Sequence, residues 1–348
     1  MSKQLIYLFY GKKKAYRQEV KFSILSALAR QTGFDKFTIR VFTDSPEEFS
    51  GWPVEVVALD VATLDEWKGP FGYTHRRKAC AIAAACQLAD KTIFIDSDTI
   101  FLKDPNLLFD RVGSNKFLVD NFEWTWLKAL KRQEYKELAE YLNSMDRSPD
   151  SSLKLYNSGV CGMARAHSPV LDSVIELIDE WGPLAANLHT VEQIALSFVL
   201  AGKQVNLASD CINHYYADKE FFHAMIAVFF YRHGEAFRPE LVELSRKVPS
   251  VKPVPASSHR MLIKMRLMTV SRTMRPIAKM VMYGGALPRS PYYDAFRDAG
   301  WRKALEKLGG LKANSVDREW VLKLPLVDGQ QTFADMYENH YSDDENLS

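Results

Sequence analysis

In HRRKACAIAAACQLADKTIFIDSDTIFLKD, residues 75–104, an alanine-rich helical pattern runs straight into an apolar strand that ends on two carboxylates. Residues 75–90 suit a helix, and Ile93-Phe94-Ile95 suit a strand buried on both faces. A helix feeding a buried strand is one half of a βαβ unit. Residues i and i+2 of a strand point to one face. Asp96 and Asp98, with Ser97 between them, should therefore aim two negative groups at one point as the strand emerges. Carboxylates that close repel and tend to hold a proton. A cation between them removes the conflict, and hard divalent cations take oxygen ligands of this kind.

The pattern repeats on either side. LIYLFY (5–10) reads as a buried first strand, and Val20, Ile24, Leu25 and Leu28 recur at helix spacing within 15–30. FTIRVFTD (37–44), PVEVVAL (53–59) and KFLVDN (116–121) read as further strands. Residues 126–143 read as one long polar helix lying over the site, and 143–152 as a loop. YNSGVCGMA (156–164) reads as a strand whose glycines admit a ligand or a neighbouring backbone. Helices near 168–181 and 190–200 and a strand at 203–208 follow. Strands alternating with helices predict an α/β fold, a mostly parallel sheet with helices on both faces. Ligands of such sheets bind beyond the carboxyl ends of the strands, where Asp96 and Asp98 fall.

The 348 residues are 47% apolar and 25% charged, ordinary for a globular chain, with a net charge of only +2. Cys80, Cys86, Cys161 and Cys211 form no C-x-x-C pair, which argues for reduced thiols over a structural zinc site. The apolar run 5–10 is too short for a signal-peptide core or a membrane span, and Lys12, Lys13 and Lys14 follow rather than precede it. A cytoplasmic chain without a transmembrane helix is expected.

Two families share features with 91–104. D-S-D-T at 96–99 is similar to the D-x-D-x-T of haloacid-dehalogenase phosphatases, which implies a phosphohydrolase with Asp96 as nucleophile. That motif closes the first strand of its fold, whereas here three strands precede it. The DxD site of GT-A glycosyltransferases fits position as well as residues. The first 230 residues resemble glycosyltransferase family 8, which includes glycogenin and bacterial lipopolysaccharide galactosyl- and glucosyltransferases. IFIDSDTIFLKD (93–104) resembles the family's strand, DxD and following L-x-D, and YNSGVCGM (156–163) resembles its F-N-[SA]-G-V. Glu192-Gln193 resembles its D-Q pair, and His214 falls at a strand end where the family places a third metal ligand.

The resemblance implies a Rossmann-like GT-A fold, a nucleotide-sugar donor of the UDP class, and transfer with retention to a glycan or lipid-linked acceptor. It implies Mn²⁺ or Mg²⁺ held by Asp96, Asp98 and His214. It puts Tyr10 and Tyr16 at the nucleotide base, and Arg77, Lys78, Ser97 and Lys219 toward the donor's phosphates and sugar. Asn157, Glu192 and Gln193 form the implied catalytic set. Plainer readings stand beside these: a turn at Asn157-Ser158-Gly159, a first-turn helix acid at Glu192, and solvated surface at Arg77 and Lys78. After His214 the chain departs from the family pattern, with Lys219 one residue nearer and the Gly and Pro-Trp absent.

The C-terminal part differs in character. Residues 244–293 hold ten Lys or Arg and no acid, so the rest of the chain, with 35 basic and 43 acidic residues, is net −8. Read as one continuous helix kinked at Pro276, 259–283 gathers five of its six Lys/Arg in an arc of about 120°. Such a helix suits adsorption to an anionic membrane surface, or packing on the main domain with its charges in water. Aromatics do not interleave with the charges, which argues against nucleic acid. The expected organisation is a transferase domain over 1–235 and a basic, largely helical extension over 236–348 ending in a disordered SDDENLS. A catalytically silent membrane-binding module is the third functional reading.

Overall fold

The first strand, β1 (Lys3–Phe9), is buried along most of its length, and its two faces meet different helices. The hydroxyls of Tyr7 and Ser23, on the helix Lys14–Arg30, share a hydrogen bond of 3.0 Å. Ile6 points the other way, into a core with Ala79, Ile82 and Ala85 of the helix Arg76–Cys86. A strand covered on both sides carries apolar residues at consecutive positions, as Leu5-Ile6-Tyr7 does.

The computed structural model describes residues 1–33, 35–184, 188–310, 321, 323 and 324. After β1 come β2 (Thr38–Thr43), β3 (Glu55–Ala58), β4 (Lys91–Ile95), β5 (Thr99–Phe101), β6 (Lys116–Thr125), β7 (Lys154–Ala164), β8 (Gln204–Leu207) and β9 (Ile212–His214). Seven strands form one sheet in the order β3-β2-β1-β4-β7-β6-β8. Neighbours from β3 to β4 are parallel, as are β6 and β8, while β7 runs antiparallel to both β4 and β6. One reversed strand in seven makes the sheet mostly parallel, and the expected α/β fold is what the chain forms. β5 and β9 make a separate antiparallel pair. The helices Val170–Trp181 and Val191–Val199 complete the core on the Ile6 side, through Ile178, Trp181, Ile194 and Ala195.

Residues 126–143 are not the single helix expected. They form a short helix Trp126–Ala129, a 3₁₀ turn Gln133–Tyr135 and a helix Lys136–Ser144. A straight helix would separate Trp126 and Tyr135 by about 13 Å along its axis. Here their rings meet edge to face at 6.2 Å, and the Arg132 guanidinium lies 4.7 Å over Trp124. Aromatic packing outweighs local helix propensity.

The chain forms two compact units, Met1–Tyr216 with Glu235–Arg246, and Ala217–Gly234 with the residues from Lys247 on. The chain thus passes between them after Tyr216, before Glu235 and after Arg246. In the first unit Glu235 receives Arg17 at 2.9 Å, Gln18 at 2.8 Å and Lys21 at 3.4 Å, which accounts for buried polar residues on the first helix.

The second unit contains the helices Lys219–His233, Ser257–Met268, Arg275–Gly285 and Pro291–Gly310. Met274, Ile277, Val281, Trp301 and Leu305 are central to its core. The continuous helix read over 259–283 is two helices, and Pro276 opens the second instead of bending a single one. Proline has no N–H to bond back to residue 272 and is at home in a first turn. The basic arc read across one helix is therefore divided between two. Among the described residues no helix is long and apolar enough to cross a membrane. All four cysteines are free. The SDDENLS tail lies outside the described residues.

Candidate metal and donor site

Asp96, Ser97 and Asp98 lie in the turn between β4 and β5, not on the strand. The convergence expected from strand alternation is made by that turn. Asp96 N–H donates to Gly159 O at 2.8 Å, and Tyr215 N–H donates to Asp98 O at 3.0 Å. Thr99 Oγ1 donates back to Asp96 O at 2.8 Å. The β5–β9 register places Thr99 opposite His214, which sets the imidazole beside Asp98. One ligand atom from each of Asp96, Asp98 and His214 lies within 4.8 Å of the other two. The group can hold a divalent cation.

His214 is gripped from both sides. Its Nε2 is 3.3 Å from Asp98 Oδ1, and its Nδ1 is 2.6 Å from Oδ2 of the buried Asp120, on β6. A carboxylate on the far nitrogen fixes the ring and presents Nε2 to a metal. Burial alone would lower the imidazole's pKa, but Asp120 and Asp98 outweigh it and push it up to about 10. A cation at Nε2 would take that proton's place.

Burial holds the Asp96 carboxyl above its ordinary value, with Lys78 opposing and Asp98 adding. Lys78 Nζ lies 2.9 Å from Asp96 Oδ2 and 3.4 Å from Ser158 Oγ. Burial would lower the pKa of this ammonium too, but Asp96 and Glu192 hold it above its usual range.

A second layer fixes the sequence-read catalytic set. Glu123 accepts from Asn157 Nδ2 at 3.1 Å and from Gln193 Nε2 at 2.8 Å. Asn157 Oδ1 accepts from Gly159 N–H at 2.8 Å, and Gln193 Oε1 accepts from Ser158 N–H at 3.2 Å. The Tyr73 hydroxyl donates to Glu192, whose other oxygen is 3.4 Å from Ser158 Oγ. Ser97 Oγ donates to Oε2 of the fully buried Glu19 at 3.2 Å. Six carboxylates (Glu19, Asp96, Asp98, Asp120, Glu123 and Glu192) and two cationic side chains, Lys78 and His214, thus enter the hydrogen bonds and ion pairs described for this site. That excess of negative oxygen donors, with one oriented imidazole, suits Mn²⁺ or Mg²⁺.

Asp96, Ser97, Asp98, Asn157, Glu192, Gln193, Lys78 and His214 therefore come together. Arg77 does not join them. Its guanidinium lies 4.4 Å from the Tyr10 ring centre, and its Nε donates to Leu64 O at 2.7 Å. Tyr16 is 37% exposed, with Lys13 Nζ 5.1 Å over its ring. Lys219 opens the helix Lys219–His233 of the second unit. Sequence reasoning missed Glu19, Tyr73, Asp120 and Glu123. Asp120 carried a usable signal, an acid in the strand KFLVDN, whereas Glu19 inside a helix carried none.

Gly159 is required by a close approach. A Cβ there would lie 2.2 Å from Cε1 and 2.4 Å from Nδ1 of His214. Gly159→Ala is expected to push the ring off Asp120, to weaken Mn²⁺ binding at least about tenfold, and to cost about 1–3 kcal/mol of stability. Calorimetric Mn²⁺ titration beside a denaturant melt reads both, and an unchanged Mn²⁺ affinity would remove His214 from the ligand set.

No family model matches the sequence, and no curated protein matches it. Among solved structures, the chain is similar to mouse xyloside xylosyltransferase 1 in its apo form, with 13% identity over 63% of this chain and 92% of that one, at a TM-score of 0.40. It is also similar to the apo WbbM bifunctional glycosyltransferase, with 12% identity over 71% of this chain and 51% of that one, at a TM-score of 0.40. A third is the glycosyltransferase GlyE of Streptococcus pneumoniae TIGR4, with 13% identity over 60% of this chain and 46% of that one, at a TM-score of 0.36.

Proposed function

We propose that the chain is a metal-dependent glycosyltransferase that moves a sugar from a nucleoside diphosphate, of the UDP class, to a glycan or lipid-linked acceptor. The observation that carries this reading is the meeting of Asp96, Asp98 and His214 beyond the carboxyl end of β4, with Asp120 on the far nitrogen. Asp96, Asp98 and His214 would hold Mn²⁺ or Mg²⁺, which would supply the positive charge that a diphosphate leaving group needs. The chain's own part is positional. Lys78, held on Asp96, brings a second positive charge to the same place. Asn157 and Gln193, clamped by Glu123, offer amide groups whose rotamers are already set for sugar hydroxyls. Glu192, held by Tyr73, is the acidic member of the catalytic set. Tyr10, with one ring face on Arg77, is the platform for the base. Retention of configuration follows from the family resemblance.

The test is a thermal-shift panel of nucleotide sugars with and without Mn²⁺. One donor should stabilise the protein by about 2.7 kcal/mol at a hundredfold its Kd, and only with metal. A shift produced by phosphate esters and by no nucleotide would instead favour a phosphohydrolase with Asp96 as nucleophile. Vesicle binding without any donor shift would favour a silent membrane-binding module.

A further inference from the structure

The second unit holds a cavity of about 470 Å³, within the size range of small-molecule sites. Its wall mixes two chemistries: Arg260, Lys279 and Lys307 bring positive charge, and Val254, Met280 and Phe296 bring apolar surface. Two other basic wall residues are already engaged. Lys252 meets Asp218 at 2.5 Å, and Arg297 donates to Gly284 O at 2.8 Å and Leu287 O at 3.1 Å. Among the described residues Arg260, Lys279 and Lys307 pair with no carboxylate. Arg260 reaches Ser257 Oγ at 3.1 Å, and Lys279 lies 5.0 Å over the Tyr283 ring.

Arg260, Lys279 and Tyr283 also line a second cavity of about 430 Å³, with Met261 and Leu267. The helix Ser257–Met268, which contributes Arg260 to both spaces, buries only Ile263. Met261 and Met268 are each 68% exposed and Met265 is 49% exposed. The surrounding sequence, 244–293, has ten basic residues and no acid.

An inorganic anion has no use for apolar surface, and a neutral lipid has no use for unpaired cations. A group that is anionic at one end and apolar at the other satisfies both. We propose that this cavity seats one phosphate-headed amphiphile drawn from a membrane, with the phosphate on Arg260, Lys279 and Lys307 and the chain along Met280 and Phe296. The seat does not depend on the donor site or on the reaction proposed for it. Its apolar, basic rim is the entry from a bilayer surface.

The full chain is titrated by calorimetry with dihexanoyl phosphatidic acid below its micelle concentration. Dihexanoyl phosphatidylcholine and inorganic phosphate run beside it. The acidic lipid should bind at least about tenfold more tightly than either, and Lys279→Glu should lower its affinity at least about tenfold at an unchanged Tm. Should Lys279→Glu fail to fold, Arg260→Glu on an exposed helix position reads the same effect. Equal binding of inorganic phosphate would make this a free-anion site and overturn the proposal. So would equal binding of the choline lipid, or full affinity in the folded variants. Binding confined to anionic vesicles, with none to the monomeric lipid, would replace a cavity with simple surface adsorption.

Discussion

If the chain has the proposed transferase activity, Asp98→Asn should lower donor turnover about 10³-fold and abolish the Mn²⁺-dependent part of the donor's thermal stabilisation. The substitution keeps shape and volume and removes one negative charge. Asp98 is buried, its main chain is held by Tyr215 N–H, and its carboxylate faces His214 Nε2 at 3.3 Å. Asp120 still grips the other ring nitrogen at 2.6 Å, so the imidazole keeps its place. The loss is therefore local to cation binding, and metal-free Asp98→Asn should melt within a few degrees of the parent. A chelator should reproduce the activity loss in the parent protein, and added Mn²⁺ should reverse it there but not in the variant. Metal-independent turnover in Asp98→Asn at the parental rate would sink the assignment of this carboxylate.

Arg297→Met should destabilise the second unit by about 3–5 kcal/mol, the range for leaving buried charged or polar partners unpaired. The side chain of Arg297 is 2% exposed. Its guanidinium donates to the carbonyls of Gly284 at 2.8 Å, Leu287 at 3.1 Å and Pro288 at 3.4 Å, and pairs with Asp294. These carbonyls lie at and just beyond the end of the helix Arg275–Gly285, where backbone acceptors lack intrahelical donors. A cationic fork at that end also meets the negative pole of the helix. Methionine fills much of the volume but bonds to none of them. Hydrogen exchange reads the effect best. Amide protection across 275–285 and 291–310 should drop at least about a hundredfold, the equivalent of roughly 3 kcal/mol of local stability. Parental protection there would mean that water replaces the guanidinium without cost.

The parts legible from sequence share a physical property: each signal is local. Alternating helix and strand patterns gave β1 to β4 and the helices Lys14–Arg30 and Arg76–Cys86, because a segment's apolar periodicity is written in its own residues. Asp96 and Asp98 stood out because charge at the end of an apolar run is anomalous wherever the chain goes next. The reversal of β7 was not legible, since a strand buried on both faces has the same composition in either direction. Nor was the true geometry of the carboxylate pair, which depends on a turn tied to Gly159 and Tyr215, residues far along the chain. Asp120 and Glu123 act through partners as distant as His214 and Gln193. The two breaks in expected helices, after Ala129 and before Arg275, follow from aromatic packing and from a proline whose helix-opening role needs the preceding turn to be seen. Arg297 left no trace at all, because its partners are mostly main-chain carbonyls that any sequence would supply.

The short β5–β9 ladder has a consequence for how this chain can diverge. Ala208 is fastened to β6 through its N–H, at 2.8 Å from Val119 O, and Leu102 N–H donates to Cys211 O at 2.7 Å. His214 faces Asp98 only because of the count of residues between these fastenings and the ring. Gaining or losing one residue there would turn the imidazole to the opposite side of the strand. An indel of one across 209–213 would forfeit the ligand even with every named residue retained.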